Sequence, residues 1–207
     1  MLHITKTRTT TPKQKPDQTN LGFGKYFTDH MLTIDYDPEN GWHDAQIVPY
    51  GPLSLDPTAM VFHYGQEIFE GMKAYRRPDG KIQLFRPEKN AERMASSCKR
   101  MCMAQLPVED FVQAVTELVL FDQDWIPTAP ATSLYIRPFI IATDAALGVH
   151  ALKTSLSAQR RAARARRSAV ATMRAAWRAS TRRPTWAIIR FCGLTACITS
   201  MSPRSAP

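Results

Sequence analysis

A chain of 207 residues can carry one large domain or two small ones, and its apolar content of 44% is enough for a core. Its net charge of +9 averages two unlike parts: all 18 Asp and Glu precede residue 151, so residues 1–150 are mildly acidic, whereas residues 151–207 hold 12 Lys and Arg and no acid. No run approaches the about 20 apolar residues of a membrane span, which argues against a membrane protein.

Residues 1–20 are basic and Thr-rich without an apolar segment, which excludes a secretory signal; Pro12, Pro16 and Asp17 also argue against an amphipathic presequence helix. They are expected to form a polar lead-in. Met31-Leu-Thr-Ile-Asp-Tyr36 alternates, and the turn cluster Asp37-Pro-Glu-Asn-Gly41 follows, so a strand and hairpin are expected here. Met72-Lys-Ala-Tyr75 and Lys81-Ile-Gln-Leu-Phe85 flank Asp79-Gly80 and predict a second hairpin. Pro87 suits the first turn of a helix, and Ala91, Met94, Ala95, Cys98 and Met101 continue it at helical spacing. A second helix is predicted from about Pro107 to Phe121, with Val108, Phe111, Val112, Val115, Leu118 and Val119 on one face. After Trp125-Ile-Pro127 comes a long apolar strand, Ser133-Leu-Tyr-Ile-Arg-Pro-Phe-Ile-Ile-Ala142. Strands and helices mix without regular βαβ alternation, so the fold class is α+β.

That last strand carries Arg137 in an apolar run. A guanidinium there needs an anion or a fixed carboxylate, and both a ligand and a core Glu or Asp meet the need. The four cysteines, Cys98, Cys102, Cys192 and Cys197, form no CxxC pair and have no spaced histidines beside them, which argues against zinc. Reduced thiols in a cytoplasmic protein are the expectation.

Four segments occur in one order and spacing: Phe23-Gly-Lys-Tyr-Phe-Thr-Asp-His-Met31; His63-Tyr-Gly-Gln-Glu-Ile-Phe-Glu-Gly-Met-Lys-Ala-Tyr75; Leu84-Phe-Arg-Pro87 with Asn90-Ala-Glu-Arg-Met94; and Ser133-Leu-Tyr-Ile-Arg-Pro138 with Leu147-Gly-Val149. Together they resemble the branched-chain amino-acid aminotransferases over residues 20–150. The resemblance implies a fold-type IV enzyme that uses pyridoxal 5'-phosphate. It implies a small N-terminal domain over residues 21–150, a larger C-terminal domain, and a homodimer. The implied reaction moves the amino group of leucine, isoleucine or valine to 2-oxoglutarate. By the same resemblance Arg93 grips the cofactor phosphate, and Tyr64 and Phe69 line the pocket for the substrate side chain. Tyr135 and Arg137 position the substrate, the arginine favouring the second carboxylate of glutamate, and Val149 is an apolar pocket position. An apolar pocket sorts branched side chains by size alone.

Residues 151–207 do not continue the resemblance. The family's Schiff-base lysine lies in a stretch of the type Gly-Gly-Thr-Gly-x-x-Lys-x-Gly-Gly-Asn-Tyr-Ala. Here the only lysine is Lys153, whose surroundings do not match, so no catalytic residue is assigned. The tail has eleven arginines, one glycine and no Asp, Glu, Asn, Tyr or His, which is what GC-rich DNA yields out of frame. Read one base out of register, the codons of residues 157–174 can encode Val-Arg-Ala-Ala-Pro-Gly-Gly-Thr-Gly-Ala-Ala-Lys-Cys-Gly-Gly-Asn-Tyr-Ala. The large C-terminal domain is therefore expected to be missing through a frame slip near residue 152. Residues 151–207 are expected to be irregular or disordered and the chain inactive. Two other readings remain. The patch Arg160-Arg161, Arg164 and Arg166-Arg167 would bind nucleic acid through phosphate contacts, incidentally and in a salt-sensitive way. Trp177, Trp186 and Phe191 are too sparse for a stacking platform. Alternatively, the folded fragment is an inactive partner of full-length subunits.

Overall fold

The structure is a computed structural model; it describes residues 1–145, residue 147 and the backbone of residues 188–196. In chain order the elements are β1 (Thr5–Lys6), β2 (Phe27–Asp37), β3 (Gly41–Pro49), α1 (Met60–Tyr64), β4 (Glu67–Phe69), β5 (Met72–Arg76), β6 (Ile82–Leu84), α2 (Pro87–Met101), α3 (Val108–Phe121), a 3-10 turn (Gln123–Trp125), β7 (Leu134–Ile141) and β8 (Ile188–Ala196). One sheet orders them β1-β3-β2-β8-β7-β5-β6, with β4 also on β7.

The turns form for the reasons their sequences suggest. The Asp37 carboxylate accepts the amides of Glu39 (2.8 Å) and Asn40 (2.7 Å), and Gly41 takes a φ of +70°, closing the β2–β3 hairpin. Gly80, at φ +78°, closes β5–β6. Pro87 opens α2, and Pro107 stands just before α3. The buried stripes Ala91, Met94 and Cys98 of α2 and Phe111, Ala114, Val115 and Leu118 of α3 share one core with Leu32, Ile34, Ile47, Ala74, Ile136 and Ile140 of the sheet. Both helices therefore cover one sheet face, the α+β arrangement expected. The polar lead-in is laid along this body: β1 runs parallel to β3, and the Leu2 backbone exchanges two 2.9 Å hydrogen bonds with the Gln113 side chain.

Two differences from the sequence expectation matter. Glu67–Phe69, for which no strand was expected, forms β4, set off from β5 by Glu70-Gly71: β4 pairs with residues 139–141 of β7, and β5 with residues 134–136. Pro138, which has no amide to give, lies opposite the break, and its carbonyl accepts the Glu70 amide at 2.8 Å. The second difference is β8. The tail was expected to be irregular throughout, yet Ile188–Ala196 forms a central strand, antiparallel to β2 and β7. Neighbouring strand edges and a buried sheet face select an apolar nine-residue stretch regardless of the composition around it. The remainder of the tail, with Lys153 and the arginine patch, lies outside the described residues, as does Val149.

Candidate functional site

The break between β4 and β5 is where the candidate residues converge. Glu70 is only 3% exposed and faces α2. Arg93 meets it side-on: Nε donates to Oε1 at 2.7 Å and Nη2 to Oε2 at 2.6 Å. This is the bidentate match of a guanidinium to a carboxylate. Asn90, one helical turn earlier and on the same face, donates to Glu70 Oε2 at 2.8 Å and to the Gly71 carbonyl at 3.2 Å. The Arg93 side chain is 67% exposed, so its outer edge is open while its inner edge is fixed. Hydrogen bonding and charge from Glu70 raise its pKa above the ordinary arginine value.

Gly71 links this corner to β7. A Cβ built on Gly71 would collide with the Tyr135 hydroxyl, so the phenol rests directly on the glycine. The Tyr135 ring meets Phe23 edge-on at 5.2 Å between centroids. Arg137, two residues along the strand, lies 4.3 Å from the Phe69 ring centroid and 5.2 Å from that of Tyr135. Of the two partners the sequence offered it, a carboxylate or an anion, the described residues supply neither. Aromatic faces stabilise the cation instead, and its buried Nε has no hydrogen-bond partner among the described residues.

Of the six residues singled out, Arg93, Phe69, Tyr135 and Arg137 are thus connected through Glu70 and Gly71. Tyr64 ends α1 and donates to the Leu147 carbonyl, packing with Met60 and Ala142. Glu70, Asn90, Gly71 and Phe23 were not singled out. The i,i+3 spacing of Asn90 and Arg93, and an acid beside a glycine at Glu70-Gly71, were the available signals.

This chain is similar over much of its length to known proteins. The branched-chain-amino-acid transaminase 1 of Bacillus subtilis (strain 168) is 52% identical over 151 residues, covering 73% of this chain and 42% of that protein. The branched-chain-amino-acid aminotransferase of Mycolicibacterium smegmatis is 56% identical over 131 residues, 63% of this chain and 36% of that one. These relatives place the chain in the branched-chain aminotransferase family. The chain spans about two fifths of the length of the curated relatives it matches. No family model matches it. Two solved branched-chain aminotransferases share the fold. One, from Escherichia coli, has a TM-score of 0.50 at 16% identity over 80% of this chain and 39% of that one. The other, from T.th. and complexed with N-(5'-phosphopyridoxyl)-L-glutamate, scores 0.51 at 17% identity over 81% and 41%. Fold-type IV architecture is therefore established for the branched-chain aminotransferase part.

The T.th. aminotransferase holds N-(5'-phosphopyridoxyl)-L-glutamate, and the described residues of this chain fit a phosphate of that kind in one respect. The open edge of Arg93, backed by a buried carboxylate, suits a phosphate. Lys73 is the strand partner of Tyr135, and it already has a partner of its own. One arginine edge does not make a site for the whole cofactor, and no chemical step follows from it. Among the described residues no helix is long and apolar enough to cross a membrane.

Proposed function

We propose that this chain is the N-terminal part of a branched-chain aminotransferase of the cytoplasm, and that as written it does not transaminate. The parent reaction transfers the amino group of leucine, isoleucine or valine to 2-oxoglutarate in a homodimer. In that reading residues 21–150 are the small domain. Arg93 holds the cofactor phosphate, and Tyr64, Phe69, Tyr135, Arg137 and Val149 line the substrate side. The orphaned Nε of Arg137 supports its part, because a buried guanidinium donor without a partner suits a carboxylate.

One observation carries the family reading: more than half of 151 aligned residues are identical to a branched-chain transaminase. Inactivity follows from the chemistry. The family needs a lysine that forms the Schiff base and relays the substrate proton, and residues 151–207 offer only Lys153, in a setting unlike the family's.

The purified chain, mixed with pyridoxal phosphate, leucine and 2-oxoglutarate, is expected to make no glutamate above a protein-free blank. Borohydride reduction followed by peptide mapping is expected to leave no stoichiometric label. Turnover, or a full label on Lys73 or Lys153, would refute the inactive reading. The nucleotide sequence from codon 145 onward is expected to encode the glycine-rich lysine stretch in another frame.

A further inference from the structure

β8 sits in the middle of the sheet although it comes from the acid-free tail. It pairs with β2 from Phe27↔Leu194 to Ile34↔Ile189, and with β7 from Leu134↔Ala196 to Ile141↔Ile188. Among the described residues, β8 alone pairs the β1-β3-β2 group with the β7-β5-β6 group. Without it, β2 and β7 would each present a row of unpaired amides and carbonyls to a gap one strand wide.

Residues outside the tail set the lining of that gap. Cross-strand partners lie on the same sheet face. Leu32, Ile34, Ile136 and Ile140 are at most 1% exposed. Across the ladders they stand opposite positions 191, 189, 193 and 189. Thr33 and Phe139 both stand opposite position 190, on the other face. On that second face Met31, Thr33 and Ile141 are buried too, while Arg137 and Phe139 are half-buried; the gap therefore calls for an extended segment that is apolar on one face and mixed on the other. Ile189, Arg190 and Phe191 have that pattern. In strand addition, main-chain hydrogen bonds supply affinity and alternate side-chain positions supply selection.

We propose that the gap between β2 and β7 is a binding site for an extended peptide with apolar residues at alternate positions. This chain fills it with its own Ile188–Ala196, and a separate peptide of the same pattern takes that place when the segment is disabled. The site reads pattern rather than identity, which is why a tail with eleven arginines and no acid can occupy it. The proposal does not depend on the aminotransferase reading, because it concerns strand edges and not Arg93 or a cofactor.

The test uses the full chain carrying Ile189→Pro and Phe191→Pro, which removes two amides from β8 and leaves the gap lining unchanged. Amide exchange at residues 31–34 and 134–141 is expected to quicken by about tenfold or more. A synthetic peptide spanning residues 187–197 is expected to slow it again, and the same peptide with Ile189→Asp and Phe191→Asp is not. Unchanged exchange in the variant, or no recovery with the first peptide, overturns the proposal. Should the variant not fold, the single variant Ile189→Pro is isotopically labelled instead, and the first peptide is added to it. Saturable shift changes confined to β2 and β7 support the site, and absence of saturable binding overturns it.

Discussion

Glu70 and Arg93 are joined by two parallel hydrogen bonds of 2.7 and 2.6 Å, one partner buried and the other largely in solvent. The asymmetry sets what each substitution does. Arg93→Met leaves a buried carboxylate with Asn90 as its remaining hydrogen-bond donor on the side chain. It is expected to cost about 1–3 kcal/mol, less than a fully buried pair because the arginine is exposed. Adding Glu70→Gln to Arg93→Met is expected to recover part of that loss, since the uncompensated charge disappears. Urea denaturation of the two single variants and the double variant measures the coupling.

Gly71 tests the same corner sterically. Gly71→Ala puts a methyl group against Tyr135, whose Cζ and Cε2 would lie 3.1 and 3.2 Å away and whose hydroxyl would overlap it. The ring must shift, at an expected cost of about 1–3 kcal/mol. Tyr135→Phe in the same chain is expected to recover only part of the loss, because the ring carbons remain too close. Thermal or urea midpoints of the three variants decide it.

The lead-in is fastened by a buried histidine. The Thr9 amide donates to His30 Nε2 at 2.8 Å, so Nδ1 carries the proton and donates to Asp122 Oδ1 at 2.6 Å, while the His30 amide donates to Oδ2 at 2.9 Å. Asp122→Asn gives one of these two donors an amide nitrogen in place of an acceptor. An expected loss of about 1–3 kcal/mol follows from leaving a buried donor unsatisfied. Faster amide exchange at Thr9 is expected with it.

A second histidine confers pH dependence. Asp44 at Nδ1 and Asp37 at Nε2, 2.8 and 2.7 Å away, hold the His43 pKa above its ordinary 6.5, with the Asp44 hydrogen bond the largest cause. The imidazolium is favoured by folding, so its contribution is complete below pH 6.5 and fades as pH rises through the raised folded value. Asp37 acts in the opposite direction: bonds from the Asn40 side chain and amide are the main causes that lower it to about 2, so its contribution is present above 3.8 and is lost as pH falls toward 2. An NMR titration of the His43 ring is expected to show the raised value, with Asp44→Asn bringing it down toward 6.5.

Much of the frame was legible because local chemistry and tertiary need agree. The alternation at Met31–Tyr36 lies inside β2, the turns at Asp37–Gly41 and Asp79-Gly80 close the expected hairpins, and both helices begin beside the prolines that suggested them. Periodicity could not show the partner of Arg93. Glu70 lies twenty-three residues away, and only the strand break opposite Pro138 turns it toward α2. Arg137 was legible as a residue needing an answer, but not as one answered by the faces of Phe69 and Tyr135, since cation–aromatic contact depends on geometry across two strands. β8 was illegible for a different reason. Its place is set by the edges of β2 and β7, and its own surroundings in sequence argue for no structure at all.

The central position of β8 also fixes the order in which the protein can be finished. Synthesis delivers β2 and β7 long before residue 188 is made, and domains begin to condense as they emerge from the ribosome. For that interval the nascent chain holds two half-sheets that cannot yet be joined. A product halted before residue 188 would lack the strand that, among the described residues, turns two ribbons into one sheet.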